Sequence, residues 1–348
     1  MAHADPLLHR PAHHKADGAF RNPPGSPRRG PRPPAMWRFY LRMARLRFEK
    51  PPIPASHVRS QAAALDAFHA AAATATDSLT WLGHAAFLIR TGGQTILTDP
   101  FLTDIAGPGA LGPKRFVDAA IPIDRLPPID ILVISHNHYD HLDDKTIRRL
   151  PGKTRMSVVV PLGLADFFHV RGYPHVIELD WYQYIHLGTA HELGGVRLTA
   201  LPCVHWSRRI GQDYNTTLWA SFSLASKTRK IYFGGDSGYG SVFKEIGEHH
   251  GPFDAAILGI GAYAPREMMR ASHATPEEAV QMGIDLHARH IVAMHWGTIA
   301  LTLEPPFEPP HRFVREGRVR GLDEDMLWVM SIGETRALPA ARPWPANE

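Results

Sequence analysis

The decapeptide ISHNHYDHLD (134–143) puts His136, His138, Asp140 and His141 within six residues, directly behind the apolar run IDILVIS (129–135). Packing gives no reason to end a strand this way. Three imidazoles repel one another once protonated, and hydrogen bonds alone satisfy such a group poorly. A bound metal removes both difficulties, because neutral imidazole and carboxylate are ordinary ligands of zinc and related divalent ions.

The remaining ligands have to come from elsewhere in the chain. His205 closes VRLTALPCVH, Asp236 closes KIYFGGD, and His295 closes HIVAMH, each behind a β-rich apolar run as His136 is. A lone histidine at a strand end is more often a satisfied surface or core residue than a ligand. The H-x-H-x-D-H cluster changes that weighing, since chance rarely puts four such residues into six positions. Together the set is five histidines and two aspartates, enough for two metals. An ion on His136, His138 and His205 keeps an open position, the arrangement suited to catalysis. A second takes Asp140, His141 and His295, and Asp236 is placed to bridge. Two cations about 3.5–4 Å apart activate a shared water and hold a substrate oxygen for in-line attack. Cys203 falls on the same strand face as His205, but with seven ligands already supplied it is expected to be a buried thiol.

The elements that must position these residues read as alternating strands and short helices. TWLGHAAFLIRT, the turn GGQ and TILTDPF form a β-hairpin, with Gly92-Gly93 supplying positive φ. Further strands are IDILVIS, MSVVVP, HVIELD, VRLTALPCVH, TTLWASFSLAS, KIYFGGD, FDAAILGIGA and HIVAMHW. Helices are expected over 58–76, over DDKTIRRL, LGLADFFHVRG and VFKEIGEHHG, and behind the Thr275-Pro276-x-Glu278 capping signature. Strand runs mixed with single helices suggest one α/β domain, two sheets with helices outside. No internal repeat is visible.

At 348 residues, 44% hydrophobic and 21% charged, the chain has the composition of a folded protein. One cysteine excludes an intrachain disulfide framework and a Cys-rich zinc finger. No apolar run reaches the roughly 18–20 residues of a membrane-spanning helix, and the start lacks the apolar core of a secretory signal. The charge of +4 is uneven: residues 1–50 hold eleven Lys/Arg against three acids, a net of +8, leaving −4 for the rest. The Pro/Arg/His-rich leader 1–34, with His3, His9, His13 and His14, is expected to be disordered. Residues 35–76 read as an N-terminal helical segment, 77–338 as the catalytic domain and 339–348 as a tail.

SHNHYDHLD, with TWLGHAAFLI and TILTDPF upstream, resembles the metallo-β-lactamase superfamily. Within it GPKRF (112–116), VIELDW (176–181), HW-x-x-R (205–209), GDSGY (235–239), IGAY-x-PR (260–266), H-x-x-PEEAV (273–280) and HWGT-x-AL (295–301) look like the N-acyl-phosphatidylethanolamine-hydrolysing phospholipase D family. The resemblance spans about Leu79 to Pro310. It implies an αβ/βα sandwich of two mixed sheets flanked by helices, and two zinc ions, with Mn or Fe as substitutes. The implied reaction is hydrolysis of N-acyl-phosphatidylethanolamine-like lipids to N-acylethanolamine and phosphatidic acid. His273 matches a family active-site histidine, so Asp236 and His273 are the expected catalytic residues. The leader and the tail carry no family motif.

The expected partners are a phospholipid substrate and an anionic membrane surface, with no nucleic acid, because RNA-processing relatives carry motifs absent here. A homodimer is one assembly open to the chain. The expected location is cytoplasmic and peripheral to a membrane. In MWRFYLRMARLRF (36–48), Arg38, Arg42 and Arg45 form one stripe of a helix, and Trp37, Tyr40, Leu41, Ala44 and Phe48 take the other side. Such a helix lies in a membrane interface, or packs its apolar side on the catalytic body. Two other functions remain open to the sequence: a hydrolase of this fold acting on a sugar-phosphate lactone or another ester, and a catalytically silent lipid-binding protein.

Overall fold

The computed structural model describes residues 11–28, 30, 36–46, 48–74, 76–188 and 195–339. Two helices come first, α1 (Met36–Leu46) and α2 (Gln61–Ala73). Strands follow as β1 (Ser78–Gly83), β2 (Ala86–Thr91), β3 (Gln94–Thr98), β4 (Ile131–Val133), β5 (Ser157–Pro161), β6 (Val176–Leu179) and β7 (Tyr184–Leu187). The second set is β8 (Val196–Leu201), β9 (Ser221–Ala225), β10 (Lys230–Phe233), β11 (Phe253–Gly259), β12 (Ala288–Met294), β13 (Leu327–Trp328) and β14 (Thr335–Ala337).

These strands make two seven-stranded sheets, ordered β14-β1-β2-β3-β4-β5-β6 and β13-β12-β11-β10-β9-β8-β7. Each is mixed. In the first, β14 through β3 pair antiparallel and β3 through β6 parallel. The second repeats the scheme, with β7 through β10 antiparallel and β10 through β13 parallel. The parallel strands β4 and β11 are near-continuous apolar runs because both faces are covered. Apolar side chains of both sheets join one buried cluster, and the helix Pro276–Asp285 packs on β11 and β12. Its start carries the expected capping box, Thr275 accepting from the Glu278 amide and Glu278 from that of Thr275. This is the two-sheet, helix-flanked α/β sandwich that the sequence led us to expect.

The hairpin of β2 and β3 turns at Gly92 (φ 57°) and Gly93 (φ 74°), as a two-residue turn with both central φ positive requires. Its first arm is not one strand. The chain breaks at His84 (φ 56°) and doubles back, so that β1 and β2 pair antiparallel with Trp81 opposite Phe87. The short strands β7, β13 and β14 and the helix Glu308–Val319 carried no pattern strong enough to read beforehand.

The expectation of a disordered leader does not hold for residues 11–28. Phe20 is buried in the core cluster, its backbone N–H donates to the Asn215 carbonyl at 2.8 Å, and Asn215 Nδ2 returns a bond to the Phe20 carbonyl. His13 and His14 meet the two carboxylate oxygens of Asp180 at 2.6 and 2.7 Å, and His13 stacks on Trp181. Composition misled because it counts apolar residues, whereas this segment is held by one buried ring and by polar groups that find partners on the body. Residues 1–10, 29 and 31–34 of the leader and 340–348 of the tail lie outside the described residues.

Helix α1 buries none of its residues. Trp37 (61% exposed), Tyr40 (61%) and Leu41 (45%) face outward, while Met36, Phe39, Met43 and Leu46 are half-buried on another face of the helix. No described helix is long and apolar enough to cross a membrane.

Candidate metal centre

Every candidate ligand leaves the sandwich at one edge, just beyond a strand end, where side chains from different strands converge. The loop after β4 carries His136, His138, Asp140 and His141; His205 follows β8, Asp236 follows β10 and His295 follows β12. The turn from β1 to β2 adds His84. Local backbone demands are visible in the sequence. Gly235 (φ 55°) precedes Asp236, and a Cβ there would stand 2.5 Å from that of Ser135, so only glycine lets the two loops approach.

Among the described residues two four-residue groups of ligand atoms form, each with all atoms within 4.8 Å of one another. In the first, His138 Nδ1 lies 2.8 Å from His136 Nε2 and 3.1 Å from His205 Nε2. Asp236 Oδ2 lies 3.9 and 3.8 Å from those Nε2 atoms. In the second, Asp140 Oδ2 lies 3.5 Å from His141 Nε2, 3.4 Å from His295 Nε2 and 2.9 Å from His84 Nε2. Asp236 reaches this group as well, with Oδ2 3.1 Å from His141 Nε2 and Oδ1 3.1 Å from His295 Nε2. It stands between the groups, where a bridging carboxylate belongs.

The far sides of the rings are fixed. His141 Nδ1 meets Asp99 Oδ2 at 2.7 Å, His136 Nδ1 meets Ser135 Oγ at 2.8 Å, and His205 Nδ1 meets the Ser272 carbonyl at 2.9 Å. Partners of this kind set the tautomer and turn each Nε2 inward, as they do in metal sites. Inward, His141 Nε2, His295 Nε2 and Asp236 Oδ1 are buried and make no hydrogen bond. Three orphaned donor atoms converging at the shared carboxylate call for an ion, and the donor set of imidazole and carboxylate suits zinc, manganese or iron. The residues present fit a metal pair.

The charges of the metal-free centre divide sharply. Burial, reinforced by neighbouring histidines, holds His136 and His205 well below the usual imidazole range, and burial takes His138 down to about 4 and His84 to about 3. Burial also opposes a proton on His141 and His295, but there the carboxylates prevail. Asp236, Asp140 and Asp99 hold His141 well above its ordinary value, and Asp236 and Asp140 raise His295 to about 9. Burial disfavours charge on Asp140 and Asp236 too, yet the facing histidines keep both well below the carboxylate range. Protons on His141 and His295 therefore supply the positive charge that a metal would otherwise supply.

All seven sequence-predicted ligands and His273 are brought together. His273 Nδ1 lies 3.8 Å from Asp236 Oδ2, with its ring 5.2 Å from His205 and 5.5 Å from His295. It is no surface residue, and burial lowers it to about 4. Cys203 is buried outside both groups, its thiol pushed up by burial. Sequence reasoning missed His84 and Asp99. His84 was hidden inside what reads as a continuous strand; the signal was the glycine immediately before it in an otherwise apolar run. Asp99 sits just past β3 as the other candidates sit past their strands.

Residues 94–296 match the family model described as the beta-lactamase superfamily domain. An uncharacterized protein of Mycobacterium tuberculosis is 37% identical over 243 residues, 68% of this chain and 63% of its own length, so the chain spans under two thirds of that relative. The N-acyl-phosphatidylethanolamine-hydrolyzing phospholipase D 1 of Caenorhabditis elegans is 37% identical over 243 residues, 66% of this chain and 67% of its own. Among solved structures, the isothiocyanate hydrolase from Delia radicum gut bacteria superposes with a TM-score of 0.59 at 20% identity, over 76% of this chain and 100% of that one.

Proposed function

The chain belongs to the metallo-β-lactamase superfamily, and from that premise we propose that it is a two-metal phosphodiesterase of phospholipase D type, hydrolysing N-acyl-phosphatidylethanolamine-like lipids. Water cleaves the phosphorus–oxygen bond to the ethanolamine, giving N-acylethanolamine and phosphatidic acid. The observation that carries the reading is Asp236 standing between two His/Asp groups, with His141 Nε2, His295 Nε2 and its own Oδ1 buried and without hydrogen-bond partners. The lipid substrate is supported by the name of the Caenorhabditis elegans relative.

His136, His138 and His205 would hold one ion, Asp140, His141 and His295 the other, with Asp236 shared and His84 beside Asp140. Bound zinc would supply an activated water and positive charge against the phosphoryl oxygens. The chain's own residues do the rest. Asp99, Ser135 and the Ser272 carbonyl hold the ligand rings in the one orientation that points them inward. Burial excludes bulk water, which strengthens every charge interaction at the centre. His273, neutral and with Nδ1 toward Asp236, is positioned to hold or pass a proton at that nitrogen as the alcohol departs.

Access to a lipid substrate falls to α1. Its outward Trp37, Tyr40 and Leu41 beside Arg38, Arg42 and Arg45 suit an interfacial helix. Each arginine adds about 1 kcal/mol near an anionic surface, enough in sum for weak, salt-sensitive binding.

The test is mass spectrometry of products from N-acyl-phosphatidylethanolamine, phosphatidylethanolamine and a lactone panel, with and without chelator. N-acylethanolamine released only by metal-replete protein supports the reading; turnover of a lactone alone, or none at all, refutes it.

A further inference from the structure

The leader segment reaches the metal centre itself. Asn22 Oδ1 accepts the backbone N–H of His205 at 2.9 Å and the indole Nε1–H of Trp219 at 3.0 Å. Trp219 has a second acceptor in the Cys203 carbonyl; no other acceptor for the His205 N–H is recorded among the described residues. The ring of His205 is fixed by Ser272, but its backbone is thus fixed by a side chain 183 positions away.

The register of Asn22 is itself secured. Two residues earlier Phe20 is buried and exchanges two hydrogen bonds with Asn215. Asn215 in turn accepts the Ser207 N–H on its side chain at 3.0 Å and donates its own N–H to the Ser207 carbonyl at 2.9 Å. The loop that begins at His205 is therefore tied to the leader at its first residue and again through Asn215. Further out, His13 and His14 clamp Asp180. The leader also forms a wall of a cavity of about 460 Å³ that it shares with His205, Trp206 and Tyr214.

We propose that Asn22 is a positioning residue for the metal centre, acting through the His205 backbone, and that residues 13–22 are the strap that delivers it. A ligand must hold its donor atom within a few tenths of an ångström of the ion. A buried backbone N–H left without an acceptor will seek another partner, and here that movement displaces a ligand. The inference rests on the reading of His205 as a ligand.

The experiment uses the full chain: wild type, Asn22→Ala, and Asn22→Asp, which keeps an oxygen acceptor of the same reach. Zinc affinity is measured by chelator competition, alongside the unfolding midpoint of each metal-free protein. Loss of a partner that orients a ligand costs about 10–100-fold in metal affinity. Asn22→Ala should therefore bind one of two zinc ions about 10-fold more weakly, Asn22→Asp should regain most of that, and the metal-free midpoints should stay close together. Unchanged affinity in Asn22→Ala overturns the proposal, as does equal loss in both variants or a loss that follows the metal-free midpoint. If Asn22→Ala does not fold, Asn22→Ser, whose hydroxyl is too short to reach both donors, reads the same affinity. Wild type that binds no zinc would sink the metal reading itself, which is a separate result.

Discussion

Asp236→Asn is the sharpest single perturbation of the centre, because it keeps shape and removes one charge. The carboxylate is 4% exposed and has imidazole nitrogens of five histidines within 3.9 Å: His141 and His295 at 3.1 Å, and His136, His205 and His273 at 3.8–3.9 Å. At an effective dielectric of about 20, one unit charge interacts with another about 4 Å away by roughly 4 kcal/mol. Either ion of a pair held here loses at least that attraction, and 4 kcal/mol is about a thousandfold in affinity. Titration of chelator-treated protein with zinc, followed by elemental analysis, should show the variant losing both ions at concentrations that saturate the wild type, with phosphodiesterase activity lost in parallel. Cooperative unfolding of the variant must persist for the comparison to stand. If Asp236→Asn binds two zinc ions with wild-type affinity, the bridging position is wrong.

His273→Ala should lower kcat by about 10²–10⁴-fold, the range for a lost acid or base, with zinc content unchanged by elemental analysis; loss of zinc would make the residue a support of the site. Changing Trp37, Leu41 and Phe48 together to Ser should abolish co-sedimentation with anionic liposomes at low salt while a soluble short-chain phosphodiester is still cleaved; unfolding, or loss of that soluble activity, would place the stretch in the core. The pH dependence of the metal-free protein has two signs. His141 and His295 are raised, so their stabilisation is complete below the unfolded value of 6.5 and disappears as pH climbs, for His295 through about 9. His138, His84 and His273 are lowered, so theirs is present above 6.5 and disappears as pH falls toward 4 and, for His84, 3. The metal-free unfolding midpoint should therefore peak near neutrality, and zinc uptake, which displaces the protons on His141 and His295, should tighten between pH 6.5 and 9; a calorimetric titration showing no proton release would contradict this.

The candidate ligand set was legible because its chemistry is local: four residues of ligand type in six positions, then one at the end of each of three apolar runs. What the sequence hid was relational. His84 needed a chain reversal at positive φ inside TWLGHAAFLI, and the apolar period runs through that reversal unbroken. The leader looked disordered because composition measures how much a segment can bury, and this one is secured by particular partners (Asp180, Asn215 and the His205 amide) that no local pattern announces. The amphipathic pattern of α1 was legible, but which of its apolar residues would face outward, Trp37, Tyr40 and Leu41 rather than Met36, Phe39, Met43 and Leu46, was not.

The topology also implies that metal is a structural cross-tie. His84, His136, His138, Asp140 and His141 come from loops of the first sheet; His205, Asp236 and His295 come from loops of the second. Each group of ligand atoms draws on both, so an ion in either one joins the two sheets at the edge where the loops leave the core. Unfolding must scatter all of these residues, and the unfolded chain retains only the local H-x-H-x-D-H cluster to compete for the ion. A site filled at a thousandfold excess over its Kd stabilises the fold by about 4 kcal/mol, which for a domain of this size is on the order of 10 °C in Tm. Thermal unfolding before and after chelation, then after zinc is restored, should show that fall and its recovery. A midpoint that stays in place while elemental analysis shows both ions gone would mean that the sheets hold the edge closed unaided, and that the metals serve chemistry alone.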